Sequence, residues 1–150
     1  MTMDLRELYQ DVILDHNRRP RNKGRVDEPT HHADGYNPLC GDMISLTLHI
    51  DQNRISAIAF DGQGCAISTA SASLMTEAVK GKTVAEAQSI FGEFQSMVTE
   101  TAAPLEHPDL GDLEVLAGVR EYPVRIKCAI LPWHALKAAL AGGSGQVTTE

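Results

Sequence analysis

The chain's three cysteines each stand beside a glycine or near the expected end of an element. Cys40 opens Cys40-Gly41-Asp42, Cys65 closes Gly62-Gln63-Gly64-Cys65, and Cys128 lies in Arg125-Ile126-Lys127-Cys128-Ala129. Cysteines kept for packing usually sit inside apolar runs, whereas thiolates that bind metal or accept sulfur need room for an approaching atom. Three thiols plus the Asp42 carboxylate make a complete tetrahedral ligand set for zinc or iron.

Each of these residues depends on an element to aim it. In extended chain, residues two apart share a face, so Cys40 and Asp42 share parity with Ile44, Leu46 and Leu48. A buried carboxylate needs a cation or metal partner. The alternative is that Asp42 lies outside the strand and caps a turn after Gly41. Cys65 sits where a glycine turn becomes a helix, and the unpaired amides and dipole there favour negative charge on sulfur. A small buried cysteine packed at the helix start is the plainer alternative. Cys128 is expected in a similar place, because Pro132 suits the first turn of the last helix. Lys127 either supports a thiolate or is a solvated surface charge. Spacing of 40, 42, 65 and 128 is no zinc ribbon. Ligands drawn from separate elements assemble only on folding, at an end of the sheet left partly open.

The periodicities supply those elements. Asp4 with Glu7 resembles a capping box, and Leu5, Leu8, Tyr9, Val12 and Ile13 follow a helical stripe that must stop before Pro20. A basic, turn-rich stretch from Arg18 to Arg25 and a polar segment with Gly35 and Pro38 come next. Ile44, Leu46, Leu48 and Ile50 alternate with polar residues as a half-buried strand. Asp51-Gln52-Asn53 turns it into a returning strand, Ile55 to Phe60. Ile67, Ser71, Leu74 and Ala78 line the inner face of a helix that Gly81 can end. Thr83 and Glu86 open another, with Ala87, Ile90, Phe91, Phe94 and Val98 inward. Thr99 to Gly111 reads as a loop, and Leu113, Leu116 and Val119 as a short helix. The last helix runs to about Leu140, with Trp133, Leu136 and Leu140 on one side. The expected fold is α+β: a small antiparallel sheet of about three strands packed against four to five helices.

At 150 residues, with 43% apolar and 22% charged residues, residues 1–150 are expected to form one domain with a flexible tail from about 142 to 150. A net charge of −7 argues against a general nucleic-acid binder. The N-terminus lacks a signal peptide's apolar run, and no stretch approaches a membrane span of about 18 residues. Three cysteines cannot all pair within one chain, so a reduced, cytoplasmic protein is expected.

The three cysteine contexts together resemble the U-type scaffold family of iron–sulfur cluster assembly, the IscU and NifU N-terminal group. The matching segments are Asn37-Pro38-Leu39-Cys40-Gly41-Asp42, Gly62-Gln63-Gly64-Cys65-Ala66-Ile67-Ser68 and Val124-Arg125-Ile126-Lys127-Cys128-Ala129-Ile130-Leu131. Asp15-His16 and Pro20-Arg21-Asn22 match as well, and coverage runs from about Leu5 to Ala141. IscU proteins carry a histidine directly before the third cysteine, where this chain has Lys127. They also carry a Leu-Pro-Pro-Val-Lys segment that is missing here. With Lys127 and its additional Thr99 to Tyr122 region, the chain is similar to the SufU branch. That resemblance implies zinc at Cys40, Asp42, Cys65 and Cys128, and a SufS-type cysteine desulfurase as partner. It further implies sulfur acceptance, assigned here to Cys40, and delivery to a downstream SUF scaffold or apo iron–sulfur proteins.

The rival reading is a scaffold that builds a [2Fe–2S] cluster, or holds Fe²⁺, on the same ligands. A passive zinc-stabilised fold ranks lower because the ligands do not come in local pairs. A hydrolytic metal site would want a motif such as H-E-x-x-H, which the chain lacks. His16 reads as a helix-end residue, His31, His32 and His49 as outward-facing, and His107 and His134 as remote from the site. The run Arg18, Arg19, Arg21, Lys23 and Arg25 is a solvated face or, more sharply, a docking patch for an acidic partner.

Overall fold

The computed structural model describes residues 5–38, 41–99, 108–142 and 146–148. In chain order these form α1 (Leu5–Arg18), β1 (His31–Asn37), β2 (Asp42–Asp51), β3 (Arg54–Gln63), α2 (Ala66–Val79) and α3 (Val84–Thr99). A 3₁₀ segment (Pro108–Glu121) with a break at Gly111, then α4 (Pro123–Gly142) and a short β4 (Gln146–Thr148), complete the fold. The expected α+β architecture holds: three antiparallel strands lie in the order β3-β2-β1, and β4 adds a short parallel strand on the β1 edge. Thus part of the segment expected to be a flexible tail is a strand. Asp4 of the expected first capping box and residues 100–107 of the expected loop lie outside the described residues.

Local chemistry accounts for most of these elements. Gln52 and Asn53, both at positive φ (51° and 64°), connect the paired residues Asp51 and Arg54. Two consecutive left-handed residues make a type I′ turn, whose twist matches the strands it joins. At the start of α3, Thr83 Oγ1 accepts the Glu86 N–H at 3.1 Å while Glu86 Oε1 accepts the Thr83 N–H at 3.0 Å. That is the reciprocal capping box read from the sequence.

Helices cover one face of the sheet, with α4 packed over β1 and β2 and α2 against β3. Leu46, Leu48, Met75, Leu131, Trp133 and Leu136 are fully buried in the core, together with Phe94 of α3. Trp133 stacks on Phe94 with ring centroids 4.6 Å apart. Gly35 sets the approach of α4 to β1. A Cβ there would stand 2.9 Å from Ile44 Cγ2 and 3.0 Å from Leu131 Cδ1.

Two sequence readings need correction. β1 falls in what reads as a polar connecting segment, because its inward residues are Ala33, Gly35 and Asn37 and carry almost no apolar signal. The last helix also begins earlier than Pro132 suggests. Pro123 takes its first position, where a missing N–H costs nothing, and Pro132 lies inside the helix. Cys128 is therefore within α4 and not at its start. Pro132 has no N–H to offer the Cys128 carbonyl. Beside that gap, Ser71 Oγ donates to the Ala129 carbonyl at 2.6 Å and accepts the Trp133 Nε1–H at 3.2 Å.

Candidate metal centre

Asp42 is the first residue of β2, and its inward parity leaves it wholly buried. The parity argument therefore holds, and the turn-capping alternative does not. Among the described residues, Asp42 makes no ion pair with lysine, arginine or histidine. A carboxylate out of water without a cation costs several kcal/mol, roughly, unless something else supplies positive charge.

Cys65 is the N-cap of α2, with extended backbone (φ −69°, ψ 171°). Its Sγ accepts the Ser68 N–H at 3.4 Å, the position a serine or aspartate oxygen usually takes at a helix start. Its own N–H is donated to Asp42 Oδ1 at 2.8 Å, and its Sγ stands 3.8 Å from Asp42 Oδ2. Gly64 makes this closeness possible. A Cβ at that position would lie 3.0 Å from Asp42 Oδ1 and 3.2 Å from Ser68 Oγ. The sulfur is half-buried at the rim.

Cys128 reaches the same point from the first half of α4 and is fully buried. The side-chain amide of Asn37, also fully buried, donates to its Sγ at 3.7 Å. Lys127 is half-buried beside it.

One potential ligand atom from each of Asp42, Cys65 and Cys128 lies within 4.8 Å of the other two. Zinc bonds sulfur at about 2.3 Å and carboxylate oxygen at about 2.1 Å, so donors sharing one tetrahedral ion stand about 3.6–3.8 Å apart. The three residues therefore need to draw together by no more than about 1 Å to hold such an ion. The donor set is right for zinc or iron, and the ion would supply the positive charge that buried Asp42 lacks. Cys40, the expected fourth ligand, lies outside the described residues. The flanking backbone is closed, since the Gly41 N–H is donated to the Asn37 carbonyl at 2.8 Å.

Among the described residues, no histidine joins this cluster. His16 is buried near the end of α1, with Nδ1 2.7 Å from Ser73 Oγ and Nε2 3.7 Å from Glu77. Burial pushes its pKa below the ordinary histidine value, and the nearby Arg21 charge pushes the same way. His134 is also pushed down by burial, next to Phe91 and Lys137. In the basic segment, Arg21 bonds Asp15 at 2.7 Å and Lys23 lies over the Phe60 ring. Asn37, Ser68 and Gly64 were not singled out from their residue types. All three lie inside or next to the cysteine-bearing segments, which is the one signal that pointed to them.

The family described as NifU-like N terminal domain matches residues 8–141. The iron-sulfur cluster assembly scaffold protein IscU of Streptococcus pyogenes serotype M1 is 46% identical over 136 residues, covering 91% of this chain and 84% of that protein. The zinc-dependent sulfurtransferase SufU of Bacillus subtilis is 44% identical over 142 residues, covering 95% of each. A crystal structure from Fervidobacterium islandicum AW-1, described as an iron-sulfur cluster assembly scaffold protein for the SUF system, superposes with a TM-score of 0.82. It is 32% identical and covers 89% of this chain and 97% of that one. Matched by the family over residues 8–141 and by these relatives over most of its length, the chain belongs to the NifU-like N-terminal domain family, the U-type proteins of iron–sulfur cluster assembly.

Proposed function

We propose that this protein is a zinc-dependent sulfur acceptor that takes persulfide sulfur from a SufS-type cysteine desulfurase and passes it on within iron–sulfur cluster assembly. The observation that carries the metal part is Asp42: fully buried, without an ion pair among the described residues, and within 4.8 Å of two cysteine sulfurs through its ligand atom. Asp42, Cys65 and Cys128 would hold the ion, with Cys40 as fourth ligand. Zinc has no redox chemistry of its own, and bound there it keeps thiols in the thiolate form while protecting them from oxidation.

The chain's own residues do the rest. Cys40 is the acceptor: its thiolate attacks the outer sulfur of the desulfurase persulfide, and the S–S bond breaks. The desulfurase cysteine leaves as a thiolate, and the persulfide now sits on Cys40, with no net oxidation. Asp42 aligns Cys65 through its amide, and Cys128 anchors the cluster from inside α4. Exposed apolar side chains support a protein as the sulfur donor. Tyr36 and Met43 pair across β1 and β2, one residue from Asn37 and Asp42, and Tyr122 and Val124 sit near the start of α4. Such rims are what docking partners cover.

The sulfurtransferase named among the relatives matches over 95% of both chains, and Lys127 before Cys128 is the residue on which the resemblance to the SufU branch rests. The second reading, a scaffold assembling a [2Fe–2S] cluster on the same ligands, is favoured by the IscU-named relative at 46% identity. Mass spectrometry of protein incubated with a SufS-type desulfurase and cysteine distinguishes the two. Added sulfur on Cys40, absent in Cys40→Ser, is expected. Sulfide and iron bound without a protein persulfide would favour the scaffold.

A further inference from the structure

Asn37 is a polar residue where the fold asks for an apolar one. It is the last inward residue of β1, fully buried, and faces Asp42 in the strand register. An amide in that position is retained only if its polar atoms are matched, since leaving them unmet is costly. Its Nδ2 is 3.7 Å from the Sγ of Cys128, a residue 91 positions away in sequence. Its backbone carbonyl accepts the Gly41 N–H at 2.8 Å, just before β2 begins. One residue thus touches the buried cysteine with its side chain and holds the Gly41 amide with its backbone.

We propose that Asn37 is a positioning residue for the metal centre, its amide N–H fixing Cys128 Sγ as the permanent, least exchangeable ligand. An N–H aimed at a thiolate draws off electron density, so the sulfur gives up less charge to a metal and attacks other groups less readily. Burial adds to this, because no sulfur donor reaches Cys128 without opening α4. Cys65 is different: its sulfur is half-buried at the rim and its N–H donor is the helix amide of Ser68, 3.4 Å away. The two described sulfurs are therefore unequal by construction, one sealed and one accessible. This rests on the metal-centre part of the proposed function and not on sulfur transfer.

The test uses the full chain, with zinc and cobalt(II) as probes. Asn37→Leu keeps the branched shape and the number of heavy atoms and removes the donor, and Asn37→Ser shortens the side chain beyond reach without adding bulk; thermal unfolding of each establishes that it folds. Zinc affinity, from competition with a chelator, is expected to fall roughly 10- to 100-fold in both variants, because losing the fixed position of Cys128 Sγ outweighs the gain in its donor strength. At saturating cobalt, the sulfur-to-metal charge-transfer band is expected at longer wavelength than in the parent. An unchanged affinity with an unmoved band in either folded variant overturns the proposal. A weaker affinity with an unmoved band also overturns it, since lost packing lowers occupancy without altering the sulfur. If the parent binds neither ion, the metal centre itself falls and Asn37's role with it.

Discussion

Asp42 Oδ1 accepts the backbone N–H of Cys65 at 2.8 Å, joining the first residue of β2 to the N-cap of α2. One carboxylate therefore serves twice, orienting the helix start through Oδ1 and standing next to the Cys65 sulfur with Oδ2. These two tasks separate under substitution. Asp42→Asn keeps an oxygen for the amide but loses the charge, so the fold should be retained while zinc affinity falls by roughly ten-fold or more. Asp42→Ala also leaves the Cys65 N–H without its acceptor, costing about 1–3 kcal/mol in addition. Chelator competition and urea unfolding of the metal-free proteins read the two effects. Zinc binding unchanged in both variants would remove Asp42 from the ligand set.

Gly64→Ala probes the same contact by steric means. Its Cβ would stand 3.0 Å from Asp42 Oδ1 and 3.2 Å from Ser68 Oγ, so the carboxylate must retreat by a few tenths of an ångström. Zinc dissociation is expected to accelerate while the thermal midpoint of the metal-free protein changes little. An unaltered dissociation rate would mean that the carboxylate position is not critical.

Ser71→Ala strips the partner from the indole N–H of Trp133, which is fully buried, and from the Ala129 carbonyl beside Pro132. Two buried polar groups left unmet should cost about 2–4 kcal/mol. Trp133 is the chain's single tryptophan, so its fluorescence follows urea unfolding directly. A midpoint equal to the parent's would show that this bridge is dispensable.

His16 makes the attachment of α1 to α2 sensitive to pH. Burial lowers its pKa below 6.5, Arg21 adds to the lowering, and Glu77, Asp15 and Asp112 oppose it more weakly. The unfolded chain thus takes up the proton first as pH falls. The stability contributed by neutral His16 is present above about pH 6.5 and is lost as pH drops towards the lower folded-state value. The metal-free protein should be less stable at pH 5.5 than at pH 7.5, and His16→Gln should flatten that part of the profile. A profile identical in the two proteins would assign the change to other groups.

Much of this architecture is visible in the residues themselves. The hairpin of β2 and β3 follows from strict alternation around a tight turn, and α3 from a capping box with an apolar stripe. Parity offers an inward Asp42 beside an equal turn-capping alternative, and the glycines before Cys65 offer a helix start. What stayed hidden has a physical reason in each case. β1 buries Ala33, Gly35 and Asn37, small or polar residues chosen for helix approach and for Cys128, so no hydrophobic period marks it. Pro132 resembles a helix opener and so puts the expected start of α4 beyond its real one, while a side chain distant in sequence, Ser71, supports the helix around Cys128. Neither relationship is local, and both appear only when the layers meet.

The most direct test of the central claim is to purify the protein without air, determine its metal content, and add it to a SufS-type desulfurase supplied with cysteine. The account predicts one tightly held zinc per chain, no visible absorption, and a large rise in desulfurase turnover that Cys40→Ser abolishes. Bound iron and sulfide with charge-transfer absorption, and turnover unaffected by the protein, would contradict it.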